Sequence, residues 1–382
     1  DVMECLLENK DADEMNNKCR SYVNHFELLT LRDYHFSYRF QQACAADIRQ
    51  HCTQAGDNKA EVIRCLSTVT FEHRVLGSAV DLQKECRKQL KVAYLQQEQV
   101  DVRAPAGEFD DKEHMADADP QLMKKCTRDM KRLGCDKSKT FEDTIECLRV
   151  QYDGLEPDCK AMIFEREKIE AIDNSMDDEL QRNCKIDTAK FCPKQPAESL
   201  LDCLTNMKIV RRLQPECLKI VTERMRESAK DVRLRPGLLV ACAEETKTYC
   251  PKDYEKIKNP QYAKQMLEGV VVNCLREKFR TATNERVRIG EPCREEISKV
   301  IIESEFDVQL DPVLYDACKG VIGQHCSSAV MARSGAYDNV LECLKADFYS
   351  GQITNKECSE QIAIRTQEAM VDVHLDPVLY QS

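Results

Sequence analysis

This chain of 382 residues has no tryptophan, and its rings come from only 12 tyrosines and 11 phenylalanines. Glycine and proline are scarce at 12 each, which excludes a collagen-like or loop-dominated chain. There is no regular series of alternating Val, Ile, Thr and Tyr segments, so the pattern of a β-sheet protein is missing. The longest apolar stretch, about Leu238 to Ala243, falls far short of the roughly 20 residues a membrane span requires. Nothing resembles a signal peptide either, so the chain reads as mature or as cut from a longer precursor. Positive charge is in deficit: the formal net charge of −11 opposes nucleic-acid binding and favours basic partners. Hydrophobic residues make up 42% and charged ones 32%, enough to fold but too polar for one large core.

Catalytic and metal signatures are also absent. No Cys-x2–4-Cys pair occurs, which argues against zinc modules and Cys-x-x-Cys redox centres. There is no His-Glu-x-x-His, no Gly-x-Ser-x-Gly and no phosphate-cradling glycine loop. His51 and His325 stand beside cysteines, but seven scattered histidines read as helix-end residues. The expectation is a protein without catalytic residues, cofactor or metal.

What the chain does have is 22 cysteines, a number suited to an oxidising compartment. Their spacing repeats. Cys44 and Cys52, Cys184 and Cys192, Cys242 and Cys250, and Cys318 and Cys326 stand eight apart; Cys126 and Cys135 stand nine apart. A Cys-Leu step follows each pair, at Cys65, Cys147, Cys203, Cys274 and Cys343. A fourth cysteine closes each unit, at Cys86, Cys159, Cys217, Cys293 and Cys358. The chain opens on a half unit, Cys5-Leu6 and Cys19. Asp307-Val-Gln-Leu-Asp-Pro-Val-Leu-Tyr315 before Cys318 recurs as Asp372-Val-His-Leu-Asp-Pro-Val-Leu-Tyr380, so both ends read as cuts through a longer array.

The fourth cysteine precedes the next first cysteine by 25 residues in four of five cases. That constancy predicts two packed elements with a short connection. The exception, Cys86 to Cys126, carries about 15 extra residues with Pro105, Gly107 and an acidic run from Glu108 to Glu113, expected to form a hinge or contact loop.

Helical periodicity follows each fourth cysteine, as in Ile297, Val300, Ile301 and Ile302, in Leu90, Val92, Ala93 and Leu95, and in Cys217, Ile220, Val221 and Met225. Asp119-Pro120, Asp311-Pro312 and Asp376-Pro377 are helix starts, with Asp capping and Pro in the first turn. Pro193 and Pro251 should end the helices that reach the second cysteines. Thr140 with Asp143 predicts a capping start before Cys147. The basic cluster Lys124, Lys125, Arg128, Lys131 and Arg132 reads as a solvated helix face.

The fold class is therefore all-α: an elongated array of disulfide-stapled three-helix repeats. The boundaries are the C-terminal half of a repeat with its connecting helix at 1–36, then repeats at 37–100, 121–176, 177–234, 235–310 and 311–375. An acidic linker or insertion fills 101–120, and a truncated repeat starts at 376–382.

First and second cysteines eight residues apart in a helix lie about 12 Å apart along its axis, beyond disulfide reach. Matching heights on antiparallel helices favours first-to-third and second-to-fourth pairing. This predicts Cys44–Cys65, Cys52–Cys86, Cys126–Cys147, Cys135–Cys159, Cys184–Cys203 and Cys192–Cys217. It also predicts Cys242–Cys274, Cys250–Cys293, Cys318–Cys343 and Cys326–Cys358. Cys5 and Cys19 lack their unit's other half, and either bond each other, as Cys5–Cys19, or are left stranded by the cut. The nested arrangement, first-to-fourth and second-to-third, stays open, as do bonds between units.

Along its whole length this pattern of Cys-x7-Cys, Cys-Leu and closing cysteine, as in Cys44 to Cys86, resembles the Golgi apparatus protein 1 family. Its members are also called cysteine-rich fibroblast growth factor receptors and E-selectin ligands. The resemblance implies the lumenal array of a type I Golgi membrane glycoprotein that also reaches the cell surface or is secreted, with its span outside this chain. It implies binding of fibroblast growth factors, a transforming growth factor precursor and, when glycosylated, E-selectin. No ligand-binding residue carries over, and the chain has no Asn-x-Ser/Thr sequon. A receptor or sorting protein for secreted ligands and a mere structural spacer are the two functions expected.

Overall fold

The computed structural model describes residues 2–10, 12, 14–100, 118–282, 288–331 and 340–371. Among these, all regular structure is helical, and ten disulfides staple five repeats. The chain divides into two compact units, Asp1–Asp178 and Glu179–Ser382.

The repeat around Cys44 shows how the sequence builds each module. Its helices are Tyr38–His51, Lys59–Leu76 and Lys84–Glu98. Phe40, Cys44 and Ile48 recur at helical spacing on the first, Val62, Ile63 and Leu66 on the second, and Cys86, Leu90 and Ala93 on the third; all are buried together. Val92 lies off this stripe and is 42% exposed, contrary to its grouping with Leu90 and Ala93. The Ile297, Val300, Ile301 stripe is buried as expected.

The constant 25-residue interval has a structural cause. A helix runs from the fourth cysteine to an aspartate, at Asp33, Asp173, Asp231 and Asp307. Each aspartate side chain accepts from the backbone N–H two residues on and starts a short 3-10 turn. The next helix begins at once. Two elements and one turn leave no slack in length.

Helix ends match the local chemistry. Asp119 and Asp311 accept from the Leu122 and Leu314 amides at 3.0 and 3.1 Å, with Pro120 and Pro312 in the first turn. Thr140 and Asp143 form a reciprocal capping box on Phe141–Val150. Thr140→Ala should lower stability by about 1 kcal/mol, read as a shifted urea midpoint with an unchanged slope. Pro251 departs from expectation: the helix before it ends at Tyr249, but Pro251 then opens a new one, Pro251–Lys258. Pro lacks only an N–H that a first turn leaves unbonded anyway. Two of the first helices also break at their cysteine, into Asp178–Asn183 with Lys185–Phe191, and Pro236–Ala241 with Ala243–Tyr249.

The disulfides correct the expected pairing throughout. First joins fourth: Cys44–Cys86, Cys126–Cys159, Cys184–Cys217, Cys242–Cys293 and Cys318–Cys358, with Cα–Cα distances of 4.6 to 4.8 Å. Second joins third: Cys52–Cys65, Cys135–Cys147, Cys192–Cys203, Cys250–Cys274 and Cys326–Cys343, at 5.6 to 6.2 Å. The first and second cysteines stay unbonded to each other, as helix geometry requires.

The first-to-third assignments (Cys44–Cys65, Cys126–Cys147, Cys184–Cys203, Cys242–Cys274, Cys318–Cys343) fail with their partners Cys52–Cys86, Cys135–Cys159, Cys192–Cys217, Cys250–Cys293 and Cys326–Cys358. The reason is height as well as azimuth. The second cysteine lies about 12 Å along its helix from the first. The third sits within 6.2 Å of the second, so it stands at the second cysteine's level and not the first's. In each Cys-Leu step the leucine points to the core centre: Leu66, Leu148, Leu204, Leu275 and Leu344 are at most 1% exposed. Successive helical residues differ by about 100° around the axis, so the third cysteine is turned to the rim and only half-buried. There it meets the second cysteine, which sits at or just beyond the end of its helix. The first and fourth cysteines, all 0% exposed, meet in the centre.

Cys5 and Cys19 are free thiols, so of the two alternatives the Cys5–Cys19 bridge fails and the unpaired state holds. In the complete repeats third and fourth cysteines never bond each other, and the half unit keeps to that rule. The 101–120 insertion is described only from residue 118, so its reading as hinge or contact loop lies outside the described residues. The truncated repeat at 376–382 lies outside them too.

Candidate interaction surface

Neighbouring repeats within each unit meet through packing and buried ion pairs. Met176 and Leu310 end equivalent 3-10 turns, and each is buried in the core of the repeat before its own. In the Glu179–Ser382 unit, Arg276 of one repeat donates to Asp311 at 2.8 Å and Glu368 at 2.7 Å of the next. Arg365 donates to Asp311 at 2.5 Å, to Glu368 at 3.1 Å and to Asn273 at 3.0 Å. The four charges balance, and their side chains are at most 4% exposed. Burial alone would push the Asp311 carboxyl up, but Arg276 and Arg365 overcome it and hold the group below its ordinary value.

The Asp1–Asp178 unit uses the same position. Asp119, seven residues before Cys126 as Asp311 is before Cys318, takes Arg64 of the preceding repeat at 2.6 Å. Arg166 pairs with Glu98 and lies between the rings of Tyr94 and Phe141, at 4.9 and 5.1 Å. The Tyr94 hydroxyl donates to Glu170 at 2.9 Å, and Arg149 donates to the same carboxylate at 2.6 Å. Sequence reasoning identified Asp119 and Asp311 as caps and missed them as ion partners. The available signal was an arginine within two residues of the third cysteine, Arg64 beside Cys65 and Arg276 near Cys274.

The residues that suggest chemistry are bound up in structure. Cys326, Cys343 and Asp347 approach closely enough to hold a metal, but both sulfurs belong to one disulfide and neither is a thiolate. His325 Nδ1 lies 3.4 Å from Asp347 beside that bridge. His51 ends its helix next to the Cys52–Cys65 bridge. Among the described residues, three clefts measure about 10, 40 and 80 Å³, against roughly 300 Å³ or more for a small-molecule site.

The outer faces offer more. Tyr22, Phe36 and Tyr38 are 47 to 58% exposed near the start of the chain. Along Pro120–Leu133, Lys124, Arg128, Lys131 and Arg132 are exposed and Lys125 is half-buried, the solvated face expected. Among the described residues, no helix is long and apolar enough to cross a membrane.

A cysteine-rich repeat family matches residues 17–74, 157–209, 215–283 and 291–352. The chain is 60% identical over 384 residues to the Golgi apparatus protein 1 homolog of Caenorhabditis elegans, covering all of this chain and 33% of that protein. It is 31% identical over 382 residues to Golgi apparatus protein 1 of Gallus gallus and of Homo sapiens, again along its whole length and covering 31% and 30% of theirs. The chain thus spans about a third of the length of these curated relatives. No solved structure matches it.

Proposed function

We propose, from the premise that this chain belongs to the cysteine-rich repeat family, that it is a non-enzymatic binding array on the lumenal side of the Golgi membrane. It takes basic secreted proteins of the fibroblast growth factor type and controls their trafficking. The end-to-end similarity to proteins named Golgi apparatus protein 1 carries the location. The excess of 67 acidic over 56 basic residues supports the ligand class, because complementary charge steers and holds a cationic partner. Stapled cores and buried joints support a scaffold whose outer faces are free for that contact.

Titrating the intact, oxidised chain with a basic fibroblast growth factor at several salt concentrations tests this reading. Affinity should fall at least about tenfold between 50 and 200 mM salt. Absence of binding at low salt, or binding indifferent to salt, overturns it. The buried ion clusters between repeats favour a second reading, a spacer that positions other segments of a Golgi glycoprotein. That reading expects no ligand. The transforming growth factor precursor and E-selectin belong to the same proposal as partners of a longer, glycosylated protein.

A further inference from the structure

The Pro120–Leu133 helix carries two opposed faces. Leu122, Cys126, Asp129 and Met130 are buried at 0 to 3% exposure. Lys124, Arg128 and Lys131 stand on the opposite side, all exposed. At about 100° and 1.5 Å per residue they occupy an arc of roughly 60° and a ridge of about 10 Å. Arg132 flanks them. Beyond the left-handed Gly134 that ends the helix, exposed Lys137 and Lys139 extend the same charge toward Phe141. Across 120–139 there are seven basic residues and two acids, and one of those, Asp129, is buried.

Among the described residues, the charge on this ridge is uncommitted. Several arginines elsewhere are tied to carboxylates, as at Arg64, Arg149, Arg226, Arg276 and Arg365. Among the described residues, no ion pair joins Lys124, Lys125, Arg128, Lys131, Lys137 or Lys139 to a carboxylate; only Arg132 is held, by Asp129 at 2.5 Å. Lys131 and Arg132 complement the helix C-terminal dipole, but that effect fades within one turn and does not account for Lys124, Lys125 or Arg128. A chain of net charge −11 thus carries one exposed line of cations that no described carboxylate pairs.

We propose that this ridge binds a linear polyanion, a sulfated glycosaminoglycan. Ten disulfides put the chain in an oxidising compartment, where the available polyanions are sulfated polysaccharides rather than nucleic acids. The ridge carries no ring on which a base could stack. Its side chains form a line of flexible charges without a pocket, which fits a charged strand and not a compact headgroup. The proposal is independent of the growth-factor reading, whose acidic surface would lie elsewhere.

The intact oxidised chain should be retained on immobilised heparin at 0.15 M NaCl. The triple variant Lys124→Glu/Arg128→Glu/Lys131→Glu should bind at least about tenfold more weakly and elute at lower salt. Lys84→Glu/Lys194→Glu/Lys252→Glu changes net charge equally at three exposed lysines on other helices or loops, and should elute close to the unaltered chain. Passage of the unaltered chain through heparin at 0.15 M, or equal losses in both variants, overturns the proposal. So does equal affinity for desulfated heparin or for duplex DNA. Circular dichroism and the non-reduced peptide map report folding, and should the triple variant misfold, Lys→Gln and Arg→Gln changes at the same positions give the same reading.

Discussion

Replacing Cys44 and Cys86 together by alanine should destabilise the Asp1–Asp178 unit by about 4 kcal/mol, and replacing Cys52 and Cys65 by about 3 kcal/mol. The difference comes from loop length. The first bridge closes a separation of 42 residues and the second one of 13, and an open chain loses more freedom when a longer loop is tied. Packing widens the gap. Cys44 and Cys86 are both 0% exposed among Leu66, Leu90 and Ala93, so removing their sulfurs also leaves a void in the core. Cys65 lies at the rim, where water can fill the space. Urea unfolding of the intact chain, with amide exchange to identify the unit, measures both losses. Equal effects would contradict the central position given to the first bridge. Mass spectrometry of non-reduced peptides tests the pairing itself: peptides linking Cys44 to Cys65 or Cys52 to Cys86 would refute the nested arrangement.

Asp311→Asn should cost about 3–5 kcal/mol in the Glu179–Ser382 unit, since it leaves Glu368 as the one carboxylate paired with both Arg276 and Arg365 in a nearly dry joint. Asparagine is itself a good N-cap, so the change removes charge while sparing the start of the Pro312–His325 helix. On that same helix Asp316 pairs with Lys319 in the open, both side chains 67% exposed, and Asp316→Asn should leave the transition where it is. The direction of the Asp311 shift sets the joint's pH response. A carboxyl held below its ordinary value contributes stability above the unfolded pKa of about 3.9 and loses it as pH falls through the folded value. The difference between wild type and Asp311→Asn should therefore be constant from about pH 7 to 5.5 and shrink only in stronger acid. A difference that collapses near pH 6 would show that Asp311 is not the ionised centre of the cluster.

Regularity of spacing made much of this molecule legible from its sequence. Cysteines at fixed intervals marked the repeats, and the 25-residue interval marked a helix, a turn and a helix. Asp-Pro pairs and Thr140 with Asp143 marked the starts, because capping is decided by residues within one turn of each other. Pro251 was half legible: it ended one helix, but whether a proline also begins another depends on how the residues after it pack. The exposed line through Lys124, Arg128 and Lys131 could be drawn from helical periodicity. That no described carboxylate covers it depends on side chains that are distant in sequence.

The amino-acid order alone determined the all-helical repeats and the exclusion of first-to-second bonds, since these rest on rise per residue and local hydrogen bonding. Tertiary packing decided which sulfur faces which and which arginine finds which aspartate. Height within one helix is a matter of counting residues, but which level of the next helix it meets is set by packing, and here the third cysteines came level with the second and not the first. The direction a residue faces is settled only when a neighbouring helix claims one side, and here Leu66 and its equivalents took the core-facing side and turned the third cysteines to the rim. Arg276 and Arg365 meet Asp311 for the same reason, across separations of 35 and 54 residues that no local rule spans.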